Sequence, residues 1–272
     1  MILNSTTKKL DFLKNRLAQL DKAAVAFSGG VDSTFLLKVA SEVLGSRLLA
    51  ITASSLVVPK RELEFTKTFT KENGIKHLTF IFDELSLEDF TSNSKDRCYF
   101  CKKAIMGKML LLASQNGIEI ILDGSNMDDN HDFRPGARAI KELGIISPLK
   151  EAGLTKSEIR SLSKDLNLPT WDKPSNACFA SRFPYGEEIT REKLIRVADS
   201  EEFLTSLGFK QSRVRSHGSI ARIELEVSDM ETLLNENFRI MIDKKLKELG
   251  FTYVSLDLQG YRTGSMNETL NL

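Results

Sequence analysis

Short apolar runs alternate with amphipathic stretches through the first two thirds of the chain. Four apolar runs have the length of β-strands: AAVAF, RLLAITAS, KHLTFIF and IEIILDG, at 23–27, 47–54, 76–82 and 118–124. The stretches between them space their apolar residues as helices do. Strands that alternate with helices predict a parallel sheet, here of five-stranded type, with helices covering both faces.

Several helix boundaries are also marked in the sequence. The first amphipathic stretch carries leucines on one face, at Leu10, Leu13, Leu17 and Leu20. The segment KKAIMGKMLLLASQNG predicts a helix that begins near Lys102. Thr155 is followed three residues later by Glu158, which is the capping-box signature of a helix start.

The pattern changes after Pro184, where period-two alternation appears between helical segments. The change predicts two domains: a nucleotide-binding α/β domain at 1–184 and a smaller α+β domain at 185–272. In the second domain Arg213 and Arg215 share one strand face. The next strand carries a polar face that is predicted to be wet, made of Arg222, Glu224 and Glu226.

Composition and charge place the chain among ordinary globular proteins. It has 272 residues, 41% of them hydrophobic and 28% charged, with a net charge of +1. A surface built to follow a nucleic-acid backbone would be more basic, so extensive nucleic-acid binding is not expected. The chain has no apolar run near the roughly 20 residues that span a membrane, and its start does not resemble a signal peptide. A cytoplasmic protein is therefore expected.

The hexapeptide Ser28-Gly29-Gly30-Val31-Asp32-Ser33 joins the first strand to the first helix after it. Two glycines allow a sharp turn and a close approach to a ligand. The helix that follows presents free N–H groups and a positive dipole end, which suit a phosphate group. The pattern matches neither a Walker A loop nor a dinucleotide-binding fingerprint. For an isolated Gly-Gly pair, an ordinary capped turn would be the simpler interpretation.

The full hexapeptide resembles the PP-loop of the N-type ATP pyrophosphatases. That resemblance implies cleavage of ATP between the α- and β-phosphates, with Mg²⁺ supported by Asp32. It assigns the pyrophosphate site to Ser28, Gly29, Gly30, Asp32 and Ser33. The carboxyl ends of other predicted strands are expected to complete the ATP site, through Ser54, Gly124 and Asn126.

Two further segments carry a closer resemblance, at 168–186 (LPTWDKPSNACFASRFPYG) and 213–224 (RVRSHGSIARIE). They are similar to the pyridinium-3,5-bisthiocarboxylic acid mononucleotide synthases, which make the nickel-pincer cofactor of lactate racemase. The resemblance implies activation of a pyridinium mononucleotide carboxylate by ATP, followed by replacement of an oxygen with sulfur. It also implies a homo-oligomer, a hexamer in this family. It assigns a catalytic role to Arg182 and substrate binding to Arg213, Arg215 and, more weakly, Glu201.

The chain has three cysteines: Cys98, Cys101 and Cys178. Taken alone, the Cys-x-x-Cys spacing fits an iron–sulfur cluster, a zinc site or a redox disulfide. The family supplies sulfur in two ways. In one branch, the cysteine that matches Cys178 gives up its own sulfur. In the other, three cysteines hold a 4Fe-4S cluster that carries sulfide from a separate donor, and the cysteine count favours this branch.

Two other functions use the same ATP loop. A tRNA thiolase would also combine the loop with a three-cysteine cluster, but the near-neutral charge and the lack of an RNA-binding module count against it. An ATP-dependent amide synthetase would need an ammonia source, and no glutaminase segment is visible in the sequence.

Overall fold

A computed structural model describes residues 2–131, 135–174, 177–262 and 264–265. The chain forms two compact units. The first unit contains Met1–Ser55, Lys60–Phe82 and Asp96–Ser175. The second unit contains Leu56–Pro59, Asp83–Lys95 and Asn176–Leu272. These units are not the predicted segments 1–184 and 185–272, and the division into domains that fold independently stays a prediction.

The first unit is an α/β structure around a four-stranded sheet. Its strands are β1 (Ala23–Ala26), β2 (Leu48–Ser54), β3 (Lys76–Ile81) and β4 (Ile121–Leu122). Its helices are α1 (Ile2–Ala18), α2 (Val31–Leu44), α3 (Lys60–Glu72), α5 (Arg97–Ser114), α6 (Gly136–Glu142), α7 (Pro148–Glu151) and α8 (Lys156–Asp165); α4 (Glu88–Thr91) belongs to the second unit. The strands run in parallel in the order β3-β2-β1-β4, which confirms the predicted α/β class.

Within the described ranges the sheet has four strands and not the expected five, and a single parallel bridge joins Leu122 of β4 to Ile146. Gly144, with φ of 66°, precedes this bridge, and Pro148 begins α7 directly after it. These two residues leave only positions 145–147 for a strand. The strand cannot continue past them, because proline offers no N–H to a ladder. The fourth strand is also shorter than the predicted 118–124.

Hydrophobic cores cover both faces of this sheet. On one face, Leu13 and Leu17 of α1 pack with Val25 and the inner side of α2. On the other face, Ala24 lies in a second core with Met106 of α5. Alternation of neighbouring strand residues between the two cores is what a sheet buried on both sides requires.

Two local predictions in the first unit have definite outcomes. The capping box at Thr155 and Glu158 is confirmed, since each side chain bonds the backbone N–H of the other residue. The helix predicted from Lys102 begins five residues earlier, at Arg97. Cys98 therefore lies inside the first turn of α5.

The second unit contains a three-stranded sheet in the order β5-β6-β7. Its strands are β5 (Ser212–His217), β6 (Ile220–Leu225) and β7 (Tyr253–Leu256), and its further helices are α9 (Arg191–Ser206), α10 (Val227–Leu234) and α11 (Glu236–Glu248). β5 and β6 form an antiparallel hairpin, whereas β6 and β7 are parallel and are joined through α10 and α11. α10 and α11 are separated by Asn235, whose side chain accepts a hydrogen bond from the Asn237 N–H at the start of α11.

The predicted wet face of the hairpin is wrong at one position. Glu226 is exposed, but Glu224 is fully buried and paired with Arg215 and Arg222. Among the described residues, no helix combines the length and the apolar composition needed to cross a membrane.

Candidate functional site

The loop after β1 is shaped by Gly29, which adopts a φ of 75°. A Cβ atom at this position would lie 3.0 Å from Phe65 Cδ1 and 3.2 Å from Thr66 Cγ2. The residue is therefore glycine for two reasons, the left-handed backbone and the close approach of α3. The loop therefore lies directly against α3.

The loop leads directly into the N-terminus of α2. Gly30 is the N-cap residue, and no side chain of the described residues caps the helix there. Ser28 and Ser33 face each other across the turn, with their hydroxyl oxygens 3.1 Å apart. Gly124 lies so close that an added Cβ would be 3.0 Å from the Ser33 nitrogen. N–H groups at a helix start and two hydroxyls are groups that suit phosphate oxygens.

Asp32, in the first turn of α2, has a carboxylate whose two oxygens lie in different environments. Its Oδ2 accepts a hydrogen bond of 2.5 Å from Lys156 Nζ. Its Oδ1 is buried and accepts no hydrogen bond of normal geometry from the described residues, although the Asn126 amide lies near enough to favour the ionised form. Burial raises the pKa of Asp32 and the charge of Asp129 adds to this, against the opposing influence of Lys156.

Around Asp32, the segment after β4 contributes further oxygen groups. Asn126 is buried; its N–H donates to Asp129 Oδ2 at 3.0 Å, and its Oδ1 accepts from the Asp128 N–H at 2.9 Å. An unpartnered buried carboxylate oxygen beside a second carboxylate suits a hard cation such as Mg²⁺. The residues present therefore fit the metal ion that the ATP loop implies.

Two lysines that sequence reasoning did not assign reach this loop. Lys156 contacts Asp32, and Lys173 donates to the Gly29 carbonyl at 3.0 Å and to Glu62 Oε2 at 2.7 Å. Lys173 lies inside the 168–186 motif, and this position in the sequence could have indicated a role at the site. Lys156 follows the capping Thr155, and nothing in its local sequence points to Asp32.

The structure brings together seven of the predicted ATP residues: Ser28, Gly29, Gly30, Asp32, Ser33, Gly124 and Asn126. Ser54 lies at the carboxyl end of β2, where its carbonyl accepts the Phe82 N–H at 2.9 Å. It is at the same edge of the sheet as the loop. Its role at the ATP site stays a prediction.

The second unit contains a buried cluster of arginines and carboxylates. Arg182 donates to both carboxylate oxygens of Glu201, at 2.7 and 2.9 Å. Glu201 also accepts the Val214 N–H at 2.8 Å, which ties α9 to β5. Although burial acts in the opposite direction, Arg182 lowers the pKa of Glu201.

Arg215 is largely engaged inside the protein. It donates to both oxygens of Glu224, at 3.0 and 2.9 Å, to the Ser181 carbonyl at 2.6 Å and to Ser265 Oγ at 2.8 Å. A guanidinium group has five N–H donors, so little of its capacity remains for a ligand. Its predicted contact with a substrate phosphate stays untested, and its geometry shows a clear structural role.

Arg213 lies on the same face of β5 and has a different environment. Burial lowers its pKa, and the positive charges of Arg182 and Arg215 lower it further, against Glu201 and Tyr261. Within the described part of the cluster, three buried guanidinium groups accompany two buried carboxylates, Glu201 and Glu224. The excess positive charge is what a buried anion site requires.

Cys178 lies next to this cluster, at the start of the 3₁₀ turn Phe179–Arg182. Arg182 Nη1 approaches the Cys178 carbonyl at 3.4 Å. Despite burial, the pKa of Arg182 is raised, mainly by Glu201 and to a smaller extent by Cys178. The thiol is partly exposed and forms no disulfide. The second unit therefore collects five predicted residues: Cys178, Arg182, Glu201, Arg213 and Arg215.

Cys98 and Cys101 lie three residues apart in the first turns of α5 and are not bridged. Between them, Tyr99 fixes the helix to α6: its hydroxyl donates to Glu142 at 2.6 Å, and the Arg138 guanidinium lies 3.7 Å from its ring centroid. The pair fits two ligand positions of a thiolate site. Within the described part of the chain, no three His, Cys, Asp or Glu side chains converge on a metal position.

The α/β sheet, the glycine turn and the uncapped helix start define an ATP-binding protein class of PP-loop type. The chain is 43% identical to an uncharacterized protein of Synechocystis (slr1717) over 262 residues, 96% of this chain and 98% of that protein. It is 39% identical to the pyridinium-3,5-bisthiocarboxylic acid mononucleotide synthase of Lactiplantibacillus plantarum over 255 residues, 93% of this chain and 92% of that one. The chain belongs to this synthase family.

A more distant relative covers a smaller share of the chain. The chain is 30% identical to a subunit of the glutamine-hydrolyzing GMP synthase of Thermoplasma volcanium over 197 residues, 64% of this chain and 60% of that relative. This similarity supports the assignment of the chain to the PP-loop class. No family model matches the chain.

Proposed function

We propose that the protein inserts sulfur, with ATP, into the carboxylates of a pyridinium mononucleotide during synthesis of the nickel-pincer cofactor used by lactate racemase. The similarity to the L. plantarum synthase supports the substrate and the product. The observation that carries the proposal is the Ser28–Ser33 turn, which opens α2 without a capping side chain and places Asp32 beside Lys156.

In the proposed first step, a substrate carboxylate oxygen attacks the α-phosphate of ATP. Pyrophosphate leaves, and the carboxylate becomes an acyl-adenylate. The loop N–H groups, Ser28 and Ser33 would hold the departing pyrophosphate, and Asp32 with Asp129 would hold Mg²⁺. Bound Mg²⁺ would supply charge neutralisation for the phosphates. Lys156 and Lys173 reach the same loop and would bind phosphate oxygens.

The product analysis tests this step directly. Incubation with ATP and substrate is expected to give AMP and pyrophosphate, and Asp32→Ala is expected to lose this reaction nearly completely. ADP and orthophosphate as primary products would contradict the assignment.

The arginine cluster is proposed to bind the phosphate of the mononucleotide. Arg213 is the principal candidate because it lies buried beside two other guanidinium groups, an environment that a bound anion would stabilise. Arg215 and Arg182 would add positive potential from fixed positions, held by Glu224 and Glu201. Arg182, beside Cys178, would also act on the reacting carboxylate or sulfur. In the proposed second step, sulfur attacks the acyl carbon and AMP leaves.

For the sulfur source we propose the three-cysteine route, in which Cys98, Cys101 and Cys178 hold a 4Fe-4S cluster. The support comes from the cysteine count and from the i, i+3 placement of Cys98 and Cys101 on α5. When bound, such a cluster supplies a place where external sulfide is delivered, and the thiols are not consumed. The alternative is donation of the Cys178 sulfur itself.

Anaerobic purification with iron and sulfide analysis tests the cluster. A broad visible absorption with about four irons per chain is expected, and each single Cys→Ala variant is expected to lose it. Intact-protein mass after turnover provides the second test. An unchanged mass with many turnovers supports the cluster, whereas dehydroalanine at position 178 would establish the sacrificial route. A homo-oligomer, expected to be a hexamer, is checked by light scattering on the same sample.

A further inference from the structure

The ion pair between Asp32 and Lys156 lies at the carboxylate that is proposed above to hold the metal ion. Lys156 Nζ lies 2.5 Å from Asp32 Oδ2, and the side chains are 29% and 21% exposed. The other oxygen, Oδ1, is buried and without a hydrogen-bond partner among the described residues. One carboxylate thus carries a cation on one oxygen and an open position on the other.

The backbone of Lys156 is fixed independently of its ammonium group. Its N–H donates to Asp128 Oδ2 at 2.9 Å. The preceding Thr155 is part of the capping box with Glu158, and Lys9 pairs with Glu158 at 2.8 Å. The side chain is a flexible stem with a single charged end, so the ammonium group can leave Asp32 while α8 stays in place.

Asp32 has one buried oxygen, and its side chain is 21% exposed. An ionised carboxylate in such a place is stabilised by a cation beside it. Lys156 supplies it when no ligand is present. A metal ion on Oδ1 would be close to the ammonium group on Oδ2, and the two positive charges would repel each other in this partly buried place.

We propose that Lys156 is an internal counter-cation that masks Asp32, so that the metal ion binds together with ATP and not before it. This inference rests on the proposed use of ATP and Mg²⁺. The phosphates of ATP would draw the ammonium group away from Asp32 and bring the metal ion with them. The mask would keep the empty site from holding divalent cations.

Titration of Mn²⁺ alone into the full-length protein, followed by electron paramagnetic resonance without ATP, tests the mask. Wild type is expected to bind Mn²⁺ weakly, and Lys156→Met is expected to bind it roughly tenfold more tightly or better. Lys156→Arg keeps the positive charge and is expected to stay weak. Lys38→Met is the matched control, because it removes one charge from α2 at a lysine that pairs with Glu42.

The double variant Asp32→Asn/Lys156→Met is expected to lose the gain in Mn²⁺ affinity that Lys156→Met shows. This result would assign the gain to Asp32. Thermal melting of each variant confirms that it is folded. Equal Mn²⁺ affinity of wild type and Lys156→Met would overturn the inference, and so would a gain of the same size in Lys38→Met. Formation of AMP and pyrophosphate is measured separately. The proposed function is therefore tested independently of the masking role of Lys156.

Discussion

The charged sites of the two units are built in opposite ways. In the first unit, Asp32 and Lys156 share one hydrogen bond, and both side chains are partly exposed. In the second unit, the Arg182–Glu201 and Arg215–Glu224 pairs each have two bonds and are buried. A partly exposed pair with one bond is easier to separate than a buried bidentate pair, which stabilises the fold only while both partners are present.

The same contrast exists inside the second unit. Arg215 is tied to Glu224, Ser181 and Ser265, whereas Arg213 is buried among like charges. Two arginines on one strand face therefore have different tasks. Arg215 holds the cluster together, and Arg213 is the residue proposed to bind an anion.

The largest expected effect comes from breaking the buried network at its carboxylate. Glu224→Ala leaves Arg215 without its bidentate partner and Arg222 without one of its partners. The free energy of unfolding is expected to fall by about 3–5 kcal/mol, as for other buried pairs that lose one member. Urea denaturation followed by circular dichroism measures it.

Glu226→Ala, two residues away at an exposed position, is the matched control and is expected to change stability by at most about 0.5 kcal/mol. Similar losses in the two variants would show that the Glu224 network is not a structural pair.

Substitutions of the two arginines of β5 are expected to have different effects, one on mononucleotide binding and the other on the free energy of unfolding. Arg213→Ala is expected to weaken mononucleotide binding by about 2–5 kcal/mol, because a buried charge partner of the phosphate is removed. Its unfolding free energy should change little, since removing the guanidinium also relieves repulsion from Arg182 and Arg215. Arg215→Ala should lose stability instead. Calorimetric titration and urea denaturation of both variants measure the two quantities, and the reverse pattern would exchange the roles.

The two carboxylates are expected to give stability–pH slopes of opposite sign. Burial acts to raise the pKa of Glu201, but its contacts with Arg182 outweigh burial and lower it. The ionised Glu201 therefore adds to the free energy of unfolding above its unfolded-state pKa of about 4.3, and this contribution is lost as pH falls. Burial raises the pKa of Asp32 in the folded protein. Its contribution to the free energy of unfolding is therefore largest below the unfolded-state pKa of about 3.9 and falls as pH rises above that value.

Urea denaturation across the acidic to neutral range checks these signs. Glu201→Gln should flatten the acid-side loss of stability. Asp32→Asn should steepen the rise of stability with pH and be the more stable protein at neutral pH. If Asp32→Asn is instead less stable at neutral pH, the ionised Asp32 is better stabilised than its burial implies.

The smallest expected effect concerns the caps that position each site. Thr155→Ala removes half of a capping box at the helix that carries Lys156 and is expected to cost about 1 kcal/mol. Thr190→Ala removes a single cap bond of 3.4 Å at α9 and should cost less. Thermal melting compares the two, and only Thr155→Ala is expected to raise KM for ATP. An equal KM effect of Thr190→Ala would argue against a positioning role for the α8 cap.

The sequence by itself determined the features that depend on near neighbours. The alternation of strands and helices indicated the parallel α/β class, and Ser28–Ser33 indicated the phosphate loop. The Thr155–Glu158 capping box is confirmed because its bonds lie within one helix turn. Such features follow from local periodicity and local hydrogen bonds, which a sequence displays directly.

Tertiary structure decided the pairings between distant residues. Lys156 reaches Asp32 across 124 positions, and Lys173 reaches Gly29 across 144. The segment 83–95 joins the second unit because Asn93 donates to the Pro184 carbonyl and the Ile189 N–H donates to Thr91. A charged residue on a strand face is compatible with water or with a buried partner, and the local pattern wrongly placed Glu224 on the wet face. Its burial depends on Arg215 and Ser265, which the fold brings to it from other segments.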